Sequence, residues 1–284
     1  MHKILISTTL LVTTLFAHLA NTNVNTYFES TDFKNSVQKY DAKIIGVGAQ
    51  TIHGDSLYKL TYEHGETNTK KPPLDKDLKL DKLFLKYGHK LDSKWSINLN
   101  YLNVLNDNIA ITAHGKAYGL GLTYNFSKMT SLNFTQFLSD YKDFNVAQSD
   151  ISLNHTMKLQ DIKFRFTAIS KTLHLEDKDS NSFSKNAKSD YSSVGFKLHS
   201  HYDSYHLGFG AYYGKRAFAI MQDGFKIQHH AMEFDRTISG GFGKSFDKLT
   251  LKLQYVYQRA TELPAQNGKK VDVKNTRVMA NYKF

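Results

Sequence analysis

The sequence has no cysteine and only three prolines among its 284 residues, and it contains no apolar run of membrane-helix length. Without cysteine no disulfide can compensate for a small core, so the chain must be held by burial or by closure of a sheet. Without a run of about 20 apolar residues it is not a helical membrane protein. Helical periodicity is missing too, because apolar residues nowhere recur at three- and four-residue spacing over any length. Acidic residues are scarce beside basic ones, 26 against 37, which leaves a formal net charge of +11. That balance suits acidic lipid headgroups, polyanions or anionic solutes as partners.

Met1 to Ala20 reads as a secretory signal peptide, in which His2 and Lys3 precede an apolar run from Ile4 to Phe16. The run is too short to span a bilayer, and cleavage is expected between Ala17 and Ala20. Export makes nucleic acid an unsuitable partner. Residues 21–38 then form an N-terminal strand or a short plug, and residues 39–284 form the body of the protein.

That body is written in one repeating pattern, strict alternation over segments of about ten residues. From Lys94 to Val104, Trp95, Ile97, Leu99 and Tyr101 share one face while Ser96, Asn98 and Asn100 share the other. From Lys116 to Phe126, Tyr118, Leu120, Leu122, Tyr124 and Phe126 oppose Ala117, Gly119, Gly121, Thr123 and Asn125. Similar stripes run through 58–62, 83–87, 162–166, 194–198, 205–213 and 249–257, with weaker ones at 42–52, 131–139, 146–157 and 232–246. A soluble sandwich also alternates, but it would keep its aromatics central. Here Trp95 and Tyr101, Tyr118 and Phe126, and Tyr205 and Tyr213 sit at the ends of their stripes, as interfacial girdles require.

The chain closes with Val278, Ala280, Tyr282 and Phe284 alternating against Arg277, Met279, Asn281 and Lys283. This resembles the C-terminal signature of bacterial outer-membrane β-barrel proteins, porin-like in kind. The resemblance implies a Gram-negative outer membrane, a transmembrane antiparallel barrel, and an assembly signal at Tyr282 and Phe284 read by the barrel-assembly machinery. It further implies short periplasmic turns and longer extracellular loops. The connections do alternate in this way: short near 92–94, 127–130, 158–161, 200–203 and 247–248, and longer at 64–78, 105–115, 174–190, 214–230 and 261–270. Thirteen strands follow residue 40, and one more near Val24 to Ser30 gives the even number such a barrel needs. Fourteen strands are therefore expected, with twelve as the alternative.

A barrel of this size has a narrow lumen that loops can occlude. Strand parity turns Lys59, Lys82, Lys86, Lys163, Arg165, Lys197, Lys252 and Arg277 toward it, with Glu63, Asp150 and Asp235 as the opposing charges. On the lipid face each lysine would cost roughly 2–4 kcal/mol at midplane, so parity constrains these positions. An excess of positive charge in the tube predicts passive passage of small polar, anionic solutes. The alternatives are a structural or adhesive barrel without transport, and a lipid-directed barrel enzyme. For the last, His199, His201, His206, His229 and His230 lack metal-ligand spacing. Asn154-His155-Thr156 resembles the stretch of barrel phospholipases only in its histidine, because their serine and glycine are absent. No catalytic residue, metal or cofactor is expected. The expected partners are small solutes, outer-membrane lipid and lipopolysaccharide, with the chain as a monomer.

Overall fold

A computed structural model describes residues 21–72, 74–106, 111–180, 182, 184–221, 224, 226–263 and 270–284. The expected signal peptide lies outside the described residues. The strands are β1 (Thr22–Lys34), β2 (Lys39–His53), β3 (Ser56–Thr69), β4 (Leu78–Lys90), β5 (Trp95–Asn106), β6 (Lys116–Asn125), β7 (Thr130–Asp140) and β8 (Asn145–Leu159). They continue as β9 (Ile162–Glu176), β10 (Asp190–Tyr202), β11 (Tyr205–Arg216), β12 (Ile220–Met221), β13 (Lys226–Ile227), β14 (Met232–Phe246), β15 (Leu249–Glu262) and β16 (Val271–Lys283). All but β12 and β13 pair antiparallel with their neighbours and form a closed barrel of fourteen strands. The expected strand near Val24 to Ser30 is β1, which closes the barrel against β16 in a register that sets Val24 opposite Tyr282 and Phe28 opposite Val278. Closure satisfies every sheet edge, which a chain without disulfides needs.

At one end of the barrel the strands are joined by turns of two to four residues, and β1 starts and β16 ends there; at the other end lie the longer connectors, together with the four-residue connections 35–38 and 141–144. The strands run further into the long connectors than alternation implies. β3 reaches Thr69 and pairs Thr67 with Leu78, and Thr67 and Thr69 are buried. Here polar residues occupy both faces, so a backbone ladder persists without the apolar stripe that would announce it.

Large apolar side chains stand exposed around the outer face, among them Leu85, Leu99, Leu120, Leu207 and Leu253. No water-soluble surface carries a patch of that extent, so this face requires an apolar medium. Aromatics gather at its turn-end margin, where Trp95 meets Tyr124 at 4.6 Å, Tyr205 meets Phe242 at 6.0 Å and Tyr282 meets Phe284 at 5.0 Å. Tyr40 and Tyr213 are exposed toward the opposite margin.

Candidate functional site: the lumen and its inward-folded connector

The connector 217–231, between β11 and β14, departs most from expectation. Its described residues do not extend into solvent. Ala217, Phe218, Ala219, Ile220 and Met221 are five consecutive uncharged residues, all buried, and Ile227 is buried as well. They form an apolar core inside the loop-end half of the barrel with Leu78, Leu80, Phe84, Leu102, Phe137 and Phe144. Phe218 lies 4.8 Å from Phe144, ring to ring. The β12–β13 hairpin is the middle of this segment.

Polar contacts fix its path across the lumen. The Ile220 N–H donates to Gln148 Oε1 at 2.8 Å, and Gln148 Nε2 donates back to the Ile220 carbonyl at 2.8 Å. Lys171 Nζ reaches the same carbonyl at 3.2 Å. At the far wall Lys226 Nζ donates to Glu29 Oε1 at 2.6 Å. Gly224 lies against β4 and β5 at φ +97°, where an added Cβ would stand 3.1 Å from Phe84 and 3.3 Å from Asn100. The connector therefore touches β1, β4, β5, β8 and β9. A cavity of about 40 Å³ remains between it and the wall, lined by Glu63, Lys82, His229 and His230 among others. A second of about 30 Å³ lies among Lys86, Asn98, Asn133 and Asp150.

The eight basic residues expected in the lumen divide by height. In the loop-end half, Lys82 forms an ion pair with Glu63 at 2.7 Å, both side chains only 4% exposed. Arg277 Nε donates to Glu29 Oε2 at 2.8 Å, its guanidinium 4.6 Å over the Tyr27 ring. Tyr27 in turn lies across Gly46, where an added Cβ would fall within 2.1 Å of the ring. The other six lie nearer the turn end. Lys59 stands opposite Lys86 across β3 and β4, and its Nζ is 5.8 Å from the Phe84 ring centre. Lys163 and Arg165 are exposed and share the face of buried Thr167 and Ile169 on β9. Lys197 lies opposite Thr167, and Lys252 opposite Gly243. Among the described residues no ion pair involves Lys163, Arg165 or Lys252, and the carboxylates at this end belong to the turns: Asp55, Asp92, Asp161, Asp203 and Asp247.

Of the opposing charges, Asp150 pairs with Lys171, and Asp235 pairs with Lys270 at 2.9 Å. Lys171 was legible, since it continues the parity of Lys163 and Arg165. Arg216 was not. The register shifts between Tyr213 and Arg216, and the fully buried guanidinium donates to Thr237 Oγ1 at 2.7 Å. His199, His201 and His206 face the lumen near the 203–204 turn, whereas His229 and His230 belong to the inward connector. His155 lies on the outer face, with Nδ1 3.0 Å from Thr130 Oγ1. Tyr282 and Phe284 are exposed on the outer turn-end margin.

No family model matches the chain, and no curated protein matches it in sequence. Solved structures do match. A bacterial polysaccharide outer membrane secretin superposes with a TM-score of 0.59 at 7% identity, covering 93% of this chain and 98% of that one. The chain has the fold of bacterial outer-membrane β-barrels. The Ralstonia pickettii toluene transporter TbuX superposes on this outer-membrane barrel with a TM-score of 0.57 at 10% identity, over 93% of this chain and 90% of that one. The CymD monoaromatic hydrocarbon channel gives 0.56 at 10% identity, over 96% and 91%. At such identities the likeness concerns the fold.

Proposed function

We propose that the protein is an outer-membrane channel for passive passage of small polar, anionic solutes, with the 217–231 connector setting the width of the path. The supporting observation is the sorting of lumen charge by height. Around the connector cations stand beside carboxylates, whereas among the described residues no carboxylate on a lumen-facing strand position accompanies Lys163, Arg165 and Lys252. A cationic vestibule with low-dielectric walls concentrates anions and raises the energy of cations. The hydrocarbon cargo named for two of the structural neighbours is not carried over, because charged and imidazole side chains line this vestibule. In this reading the turn end faces the periplasm and the connectors face outward. The barrel is a monomer, its partners are outer-membrane lipid, lipopolysaccharide and the assembly machinery, and it performs no catalysis.

Single-channel recording of the refolded protein under a potassium chloride gradient tests this. An open current that reverses toward the chloride potential is expected. Reversal toward the potassium potential would overturn the anion preference, and a folded but silent barrel would overturn transport itself.

A further inference from the structure

Five strands at the turn end of the lumen, β9, β10, β11, β14 and β15, surround a floor of glycines. β11 and β14 present Gly208, Gly210, Gly241 and Gly243 inward, with Gly208 directly opposite Gly241. Nothing but hydrogen rises from these positions, and neighbouring side chains use the space. An added Cβ at Gly243 would stand 2.8 Å from Lys252 Cγ, and one at Gly210 would stand 2.7 Å from Ser239 Oγ and 3.8 Å from Lys197 Cγ.

The walls are basic. On one side β10 contributes Lys197, His199 and His201, backed on β9 by Arg165 opposite His199 and Lys163 opposite His201. On the other side β15 contributes Lys252. His199 lies within the electrostatic reach of Lys197, Arg165 and Lys252, and His206 within that of His201 and Lys252, so positive charge from both walls converges over the glycines. The imidazoles are held in place. His206 Nε2 is 2.9 Å from Ser245 Oγ, and its Nδ1 is 3.1 Å from His201 Nδ1.

Such an arrangement opposes folding. Lys158 and Lys163 stand directly opposite one another across β8 and β9, a like-charge pair that weakens a sheet. The loop-end half of the same lumen avoids this by placing carboxylates beside Lys82, Lys171 and Arg277. Among the described residues no ion pair relieves Lys163, Arg165 or Lys252, and cations left so beside one another mark a surface used for something other than stability.

We propose that this recess binds a dianionic tetrahedral oxyanion, phosphate either free or as a phosphomonoester, on its way through the lumen. The inference rests on the channel reading and deepens it. A guanidinium fork at Arg165, an ammonium at Lys252 and imidazole N–H groups around a floor of glycines match several oxygens on one centre. A spherical monovalent ion would engage few of these donors.

The test is binding of inorganic phosphate and of glycerol phosphate to the full barrel folded in detergent, measured by titration calorimetry at constant ionic strength. Saturable binding is expected. Arg165→Gln or Lys252→Gln should each weaken it roughly threefold or more, and the pair of substitutions roughly tenfold. Lys244→Gln removes the same charge from the outer face of β14, where Lys244 lies 5.0 Å over the Tyr205 ring, and should leave binding unchanged. Circular dichroism and heat-modifiable gel migration verify that each variant is folded. Tighter binding of the monoester identifies a phosphorylated solute as the ligand, and tighter binding of inorganic phosphate identifies the free ion. No saturable binding of either, or an equal loss in Lys244→Gln, would overturn the site. Binding in detergent requires no current. A silent barrel that binds phosphate therefore counts against transport alone, and an anion-selective channel that does not bind counts against this site alone.

Discussion

Lys82 and Lys86 lie four residues apart on β4 with the same parity, and they meet opposite circumstances. Lys82 is buried against Glu63 at 2.7 Å, while Lys86 faces Lys59 nearer the turn end. A buried charge that loses its partner is expensive, because desolvation remains when the attraction is gone. Glu63→Gln should therefore cost about 3–5 kcal/mol in a urea titration of the barrel in lipid vesicles. Replacing both residues by apolar ones of similar volume should cost much less. Alternation was enough to place both lysines on the lumen side. It could not distinguish them, since the carboxylate that answers Lys82 comes from another strand, and height along the lumen has no periodic signature.

The connector 217–231 is held by few polar contacts over an apolar core, so it is the element most readily moved. Gln148→Leu leaves the Ile220 N–H without its partner and removes one of two donors to the Ile220 carbonyl. Undocking should become easier by about 2 kcal/mol or more. The expected result is a larger single-channel conductance and faster protease cleavage within 217–231, with the barrel itself intact. Acid should act in the same direction. Burial, reinforced by positive charge at Lys82, Lys226 and Lys39, holds the His229 and His230 imidazoles well below their ordinary value of 6.5. The carboxylates on this side, Glu29 and Glu63, are already engaged by Lys226, Arg277 and Lys82. Because the docked values lie below the undocked ones, docking is at full strength above about pH 6.5 and weakens as pH falls below it. Conductance should rise between pH 7 and pH 5, and His229→Gln/His230→Gln should flatten that rise. The clue to an inward course was the uncharged run from Ala217 to Met221. Five apolar residues between two strands match neither alternation nor a solvated loop, but the surface that receives them is assembled from strands distant in the chain, β4, β5, β7, β8 and β9 among them.

At the scale of the whole molecule, the outer face must meet an apolar medium. Leu253 is the middle residue of the apolar stripe 249–257 on β15, 52% exposed, opposite Phe242 and Val278 on the adjoining strands. Leu253→Lys should destabilise the barrel in lipid by roughly 2–4 kcal/mol, measured by reversible unfolding from vesicles. Architecture was legible from the amino-acid order because a strand's two faces repeat every two residues and each medium selects its own side chains. The aromatic margins, the alternation of short and long connections, and the inward parity of Lys59, Lys163, Arg165 and Lys252 are all local consequences of that period. Only the tertiary structure decided that β1 and not a plug closes the ring, that one connector turns into the lumen, and that Lys82 and Arg277 near the connector form ion pairs while, among the described residues, Lys163, Arg165 and Lys252 at the turn end form none. Each of these depends on which residues meet across the barrel, and register between distant strands leaves no trace in the spacing along any one of them.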